Sequence, residues 1–288
     1  MLGFLSLLAA MAMIHSCSAF QLRTPVSCMV RVPLDGCYRR LPCKPVTSAC
    51  KPKLRHNIQM QSTPRETLTF EERMKDNLAP DEFYYDYPRM CYHADAEFHA
   101  TLTSLYRDTL PYGSESRILD MMSSWVSHYP TDRDFGRVDG IGMNLEELQR
   151  NPQLNFARVW NLNVNSSLPF ENAVFDAVTC ALSVQYLMYP EQVFEDIGRV
   201  LKPGGICIIS FSNRMFPAKA VYAWRKRTAV QRVGLVMNYF ESTGLFSKPE
   251  VVDKTTPLHT ISSLTTSYLG FAVTGDPFYA VVARKNSE

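Results

Sequence analysis

The chain has 288 residues, of which 46% are hydrophobic and 20% charged, with a formal net charge of +2. That composition fits one sizeable globular domain with extensions, or two small domains, and excludes a chain disordered throughout. No run of 18 apolar residues occurs anywhere, which excludes a polytopic membrane protein and leaves no membrane span after the N-terminal leader described below.

The charge is unevenly placed. Residues 1–20 hold no charged side chain, and residues 21–60 hold eight Lys and Arg against one acid, Asp35. The rest of the chain holds 22 bases and 27 acids, a net of −5. A mildly acidic body argues against a nucleic-acid-binding face built on net charge.

Leu2 to Ile14 is an apolar run too short to span a bilayer and of the length of a secretory h-region. Small residues at Cys17 and Ala19 suit cleavage after Ala19, so residues 1–19 are expected to be a signal peptide. Residues 20–60, opening at Phe20, are basic, rich in Pro and free of apolar periodicity. This Ser-Ala-Phe junction with its basic tract resembles the bipartite leader of algae with complex plastids. The resemblance implies a transit-peptide-like segment and delivery to the plastid stroma. Cys28, Cys37, Cys43 and Cys50 keep a second reading open, a secreted protein with a two-disulfide module of three possible connectivities. Cys180 and Cys207 fall in apolar runs and read as small buried hydrophobes. No Cys-x-x-Cys spacing occurs, so no zinc or dithiol site is indicated.

Residues 61–110 are expected to form a helical cap. Phe70, Met74 and Leu78 recur every fourth residue. Phe98, Leu102, Leu105 and Tyr106 share one face of a helix starting near Ala94. The Tyr-rich stretch between them offers Tyr84, Tyr85, Tyr87 and Tyr92 either as a lid or as cover for the open end of a sheet.

From residue 111 to 288, strands and helices alternate. Strands are expected at 116–120, 138–142, 156–162, 175–181 and 206–211, and two more at 249–253 and 278–284. Helical turns are expected at 146–150, a helix at 190–201 with Pro190 in its first turn, and helices through 217–243 ending at Gly244. Alternation with short connections indicates an open, mainly parallel α/β sheet.

Three stretches resemble the class I S-adenosylmethionine-dependent methyltransferases of the type 11 branch. They are Arg117-Ile118-Leu119-Asp120, Leu168-Pro169-Phe170 running to Phe175-Asp176, and Leu201-Lys202-Pro203-Gly204-Gly205. The resemblance implies a doubly wound, mainly parallel seven-stranded sheet of Rossmann-like form, with S-adenosylmethionine as cofactor at the carboxyl ends of the first strands. In the family a glycine-rich loop and the following helix N-terminus face the methionine carboxylate. Here Met122, Ser124 and Val126 stand at the glycine positions, so Asp120, Ser123 and Ser124 are the candidates of this loop. The acid that ends strand two in the family is replaced by Gly142. Asp139 lies at an odd offset on the opposite face, and Glu146 or Glu147 would have to reach back. Asn161 and Asn163 stand where an acid often meets the adenine amine.

The acceptor side would be built after strands four and five. Ser183, Gln185 and Tyr186 follow the former. Ser212, Asn213, Arg214 and, further on, Lys219 follow the latter, and an Arg–Lys pair there suits an acidic substrate. His128 is a candidate base, alternatively a packing residue beside Trp125. The expected function is methyl transfer to a small molecule; the alternative is a methyltransferase-fold scaffold without catalysis. P-loop, His-Glu-x-x-His, Gly-x-Ser-x-Gly and dinucleotide Gly-x-Gly-x-x-Gly signatures are absent.

Overall fold

The computed structural model describes residues 65–254 and 275–287. The segments expected to be signal peptide (residues 1–19) and leader (residues 20–60) lie outside the described residues.

The body is one seven-stranded sheet in the order β3-β2-β1-β4-β5-β7-β6. Its strands are β1 (Gly113–Met121), β2 (Phe135–Gly142), β3 (Phe156–Val159), β4 (Phe175–Ala181), β5 (Leu201–Phe211), β6 (Glu250–Asp253) and β7 (Tyr279–Arg284). Strands β1 to β5 pair in parallel, and β7 runs antiparallel between β5 and β6. The chain leaves β1 for β2 on one side and later adds β4 on the other. This is the doubly wound arrangement, with its switch point between β1 and β4.

Ile206 to Phe211 are buried at the centre of the sheet. The third strand ends at Val159, short of Leu162, because Asn161 and Asn163 turn the chain back by hydrogen bonding locally. Strand β5 begins at Leu201, which pairs with Phe175. Residues 202–205 then loop out before Ile206 pairs with Ala177. Gly204 has φ +74°, and Lys202 Nζ reaches Asp176 at 2.8 Å, so this segment is an anchored bulge as well as a helix stop.

Helices cover both faces. On one, α4 (Pro190–Val200) and α6 (Ala229–Thr243) bury Val193, Phe194, Ile197, Val236 and Phe240 against Val178, Cys207 and Ile209. Thr228 and Gln231 form a capping box at the start of α6, and Gly244 ends it at φ +67°. The short α5 (Tyr222–Arg225) adds Trp224 to this layer. On the other face, α2 (Ala96–Thr109) lays Phe98, Leu102 and Tyr106 on Ile118, Val138 and Ile208. Asp95 caps α2 by accepting from Phe98 N at 2.8 Å. Cys180 and Cys207 are free and buried.

The fourfold spacing of Phe70, Met74 and Leu78 does not make a helix. Phe70 and Leu78 are exposed, and regular structure there is limited to a 3₁₀ turn at Glu71–Arg73 and the short α1 (Asp81–Tyr85). Ion pairs set this path instead. Arg73 grips buried Glu191 with two bonds of 2.9 Å, and Lys75 meets Asp81 at 2.7 Å. Burying those cations fixes an extended course that helical spacing of three apolar residues cannot override.

Candidate cofactor cleft

The carboxyl ends of β1, β2 and β4 and the turn after β3 open into a cleft of about 370 Å³, a size typical of small-molecule sites. Its far wall comes from the stretch of residues 81–99, which the sequence pattern had suggested only through its tyrosines. Tyr85 and Tyr92 line the cleft with Arg89, His93 and His99, whereas Tyr87 is exposed.

The loop after β1 is closed by side chains in place of glycines. Buried Asp120 accepts from Ser123 Oγ at 2.5 Å and Ser127 Oγ at 2.6 Å. Burial raises its pKa to about 6, against the lowering effect of those hydroxyls. Met122 takes φ +57° without being glycine. The required glycine lies across the gap: a Cβ on Gly142 would stand 2.2 Å from the Ser123 carbonyl oxygen, and Ser123 N donates to Ile141 O at 2.7 Å. Gly142 is therefore where the loop seats against β2.

No helix follows. Residues 122–134 run from β1 to β2 without one, so the helix N-terminus that the family resemblance implies is missing. Asn151 holds the loop instead, donating to Ser124 O at 3.0 Å and Ser127 Oγ at 2.8 Å. His128, at φ +63°, lines the cleft with its ring stacked on that of His99 at 4.1 Å. Burial, then the neighbouring His99, lowers the His128 pKa to about 4, so its imidazole is neutral at pH 7.

An acid does stand beside the end of β2. It is Glu147, from the first turn of α3 (Leu145–Gln149), which Asn144 caps by accepting from Glu147 N at 3.0 Å. Glu147 Oε2 accepts from Ser124 Oγ at 2.6 Å and Oε1 from Arg89 N at 2.6 Å. Glu146 pairs with Arg150 on the surface.

Asn161 and Asn163 both line the cleft. Asn161 Nδ2 donates to Glu82 at 2.7 Å. Asn163 donates to Asp81 and Tyr186 O and accepts from Met188 N. The latter amide is fully engaged in tying the turn after β3 to the N-terminal stretch.

At the end of β4, Ser183 Oγ donates to Ala181 O at 2.9 Å and lines the cleft. Tyr186 also lines it, and its hydroxyl accepts from Phe216 N at 2.9 Å. Gln185 is not brought to the cleft. It is 1% exposed, donates to Leu182 O, and belongs to the packing behind the 3₁₀ turn at Val184–Tyr186. The expected Arg214–Lys219 clamp does not form either. Arg214 lines the cleft but pairs with Asp276 at 2.7 Å, while Lys219 is fully buried, donating to Ala79 O at 2.6 Å and pairing with Asp81 at 3.1 Å. A buried cation needs those partners, and they hold it away from any ligand.

Asp139, on the opposite face as its offset predicted, is buried and pairs with Arg117 and Arg137.

Residues 126–209 match the family model described as a methyltransferase domain. Over residues 126–209 the α/β body is thus similar to the type 11 methyltransferase domain, and its sheet has the doubly wound order. The match begins at Val126 and so covers none of the altered stretch Asp120–Trp125 after β1. A biotin biosynthesis bifunctional protein of Teredinibacter turnerae is 37% identical over 90 residues, 31% of this chain and 15% of that protein. The mitochondrial 2-methoxy-6-polyprenyl-1,4-benzoquinol methylase of Caenorhabditis elegans is 31% identical over 83 residues, 28% of this chain and 29% of that one. The chain thus spans under a third of the length of these curated relatives. A solved S-adenosylmethionine-dependent methyltransferase from Mesorhizobium loti aligns at 16% identity and a TM-score of 0.42, covering 63% of this chain and 96% of its own.

Among the described residues, no group of three or more His, Cys, Asp or Glu is placed to hold a metal ion, and no helix is long and apolar enough to cross a membrane.

Proposed function

We propose that the protein transfers a methyl group from S-adenosylmethionine to a small molecule. The observation that carries this is Glu147. Its carboxylate lines the cleft beside the end of β2, and among the described residues each oxygen accepts one hydrogen bond. Carboxylate lone pairs therefore remain to accept from a ribose diol, although the strand itself ends in glycine. Gly142, Met143, Trp160, Asn161 and Leu162 line the cleft beside Glu147.

The cofactor, when bound, supplies an electrophilic methyl group, so the chain has to align the acceptor and manage its proton. His128 lines the cleft with its ring neutral at pH 7, but with its pKa lowered to about 4 it is a weak base for that proton. Tyr186 keeps its hydroxyl protonated through burial and orients the far wall with Phe216. Aromatic walls from Tyr85, Tyr92 and Phe216 suit a planar or apolar acceptor.

The second reading is a non-catalytic scaffold, favoured by the missing helix after β1 and by the engaged hydroxyls of Ser123, Ser124 and Ser127. Titration of the chain lacking residues 1–60 with S-adenosylmethionine and S-adenosylhomocysteine, followed by calorimetry, decides between them. Submillimolar binding supports the enzyme; no heat at millimolar ligand leaves the scaffold.

We also propose delivery to a complex plastid, with residues 1–19 as signal peptide and 20–60 as transit peptide. A reporter fused to residues 1–60 in an algal host should enter the plastid. Export to the medium would favour the secreted, disulfide-bearing alternative.

A further inference from the structure

We infer that Arg89 binds the amino-acid carboxylate of the cofactor, taking over from a glycine-rich loop and helix N-terminus that this chain does not have. The inference rests on the methyltransferase reading above. A carboxylate entering a partly dehydrated cleft needs donors of its own, ideally a cation. The loop after β1 is poorly suited to supply them. Its Ser123 and Ser127 hydroxyls are directed at Asp120, and its Ser124 hydroxyl at Glu147, so an anion there would face two carboxylates.

Two arginines line the cleft. Arg214 is paired with Asp276 and its side chain is 64% exposed. Arg89 has no carboxylate within salt-bridge distance among the described residues. Its guanidinium donates to Tyr84 O at 2.9 Å and Tyr87 O at 3.3 Å, which leaves three of its five N–H donors. The Tyr84 ring at 4.8 Å and the Phe216 ring at 5.5 Å hold its plane. The guanidinium is thus placed before any ligand arrives, so little side-chain entropy is lost on binding.

The same residue fixes the other end of the ligand. Arg89 N donates to Glu147 Oε1 at 2.6 Å, so the acid proposed for the ribose and the cation proposed for the carboxylate share one residue's backbone and side chain. A nucleoside bearing an amino-acid tail presents those two chemistries at its two ends. The family arrangement places its donors on the β1 loop. Here they come from the stretch preceding α2.

Calorimetry with two ligands tests this. S-Adenosylhomocysteine carries the amino-acid carboxylate, and 5′-methylthioadenosine has the nucleoside and thioether without it. Arg89→Met should weaken S-adenosylhomocysteine about 10- to 100-fold, the worth of a hydrogen-bonded charge, and leave methylthioadenosine within about twofold. Arg89→Lys should keep part of the difference, because charge without the fork still attracts. Equal losses for both ligands in Arg89→Met would show that Arg89 merely supports the wall, and unchanged S-adenosylhomocysteine affinity would place the carboxylate elsewhere; either overturns the inference alone. If the unaltered protein binds neither ligand, the methyltransferase reading falls and the inference with it.

Discussion

Ser124 Oγ donates to Glu147 Oε2 at 2.6 Å, joining the loop after β1 to the first turn of α3. In sequence the two residues sit in different strand–loop units, and neither alone marks a site. Together they put a hydroxyl and a carboxylate at the mouth of a cleft whose loop has lost its glycines.

Glu147→Ala should lower S-adenosylhomocysteine affinity about 10- to 100-fold, as expected for losing a charged acceptor. Glu147→Gln should lose less, since one amide oxygen still accepts. The side chain is half-buried at a helix start, so thermal unfolding should move little. Calorimetry alongside a thermal melt checks both; wild-type affinity in Glu147→Ala would remove this residue from the site.

Gly142→Ala should damage both fold and site. Its new methyl would meet the Ser123 carbonyl oxygen at 2.2 Å, a backbone atom that cannot swing aside. Overpacking of this kind costs about 1–3 kcal/mol. Urea unfolding should show that loss, and the displaced loop should bind cofactor poorly. Gly234→Ala, inside α6 with nothing within 4 Å of its Cβ position, serves as the control and should be more stable than the parent by about 1 kcal/mol.

The sheet was legible because buried strands leave continuous apolar runs, as in residues 206–211, and because the Lys-Pro-Gly-Gly turn is a strong local signal. The site was legible in part. Asp120, Ser123, Ser124, Gly142, Asn161, Asn163, Ser183, Tyr186, His128 and Arg214 all line the cleft, each lying near a strand's carboxyl end. Gln185 escaped that rule because the 3₁₀ turn rotates it inward. Arg89, His93 and His99 went unnoticed because they precede the sheet. Only the chain's return over the switch point brings them in, and no spacing reports that. The Phe70–Leu78 spacing misled because buried ion pairs, invisible to periodicity, govern that stretch.

Lys219 is one such hidden group. Its ammonium is fully buried between Asp81 and the Ala79 carbonyl, with Lys75 on the same carboxylate. Lys219→Met should destabilise the fold, but by less than the ~3–5 kcal/mol usual for breaking a buried pair, because Lys75 still pairs with Asp81. Arg214→Ala, by contrast, should leave the unfolding midpoint nearly unchanged, because that side chain is mostly exposed. Denaturant titrations of the two variants side by side separate these roles; equal midpoints would mean that Lys219 is not structural.

Two groups at the β1 loop make opposite demands on pH. Burial raises Asp120 from 3.8 to about 6, so the folded state holds a proton there that the unfolded chain releases. Stability from this group is full near pH 4, falls as pH rises toward 6, and stays low above it, a loss of about 3 kcal/mol. Burial lowers His128 from 6.5 to about 4, so stability from that group rises between those values and is full above 6.5. The two slopes oppose each other between pH 4 and 6. Asp120→Asn should therefore unmask the histidine: relative to the parent, the variant should gain stability steadily from pH 4 to about 6 and keep that gain at pH 7. Urea unfolding at half-unit pH steps measures it. A difference between variant and parent that does not change with pH would show that Asp120 is ionised throughout, with its two serine hydroxyls outweighing its burial.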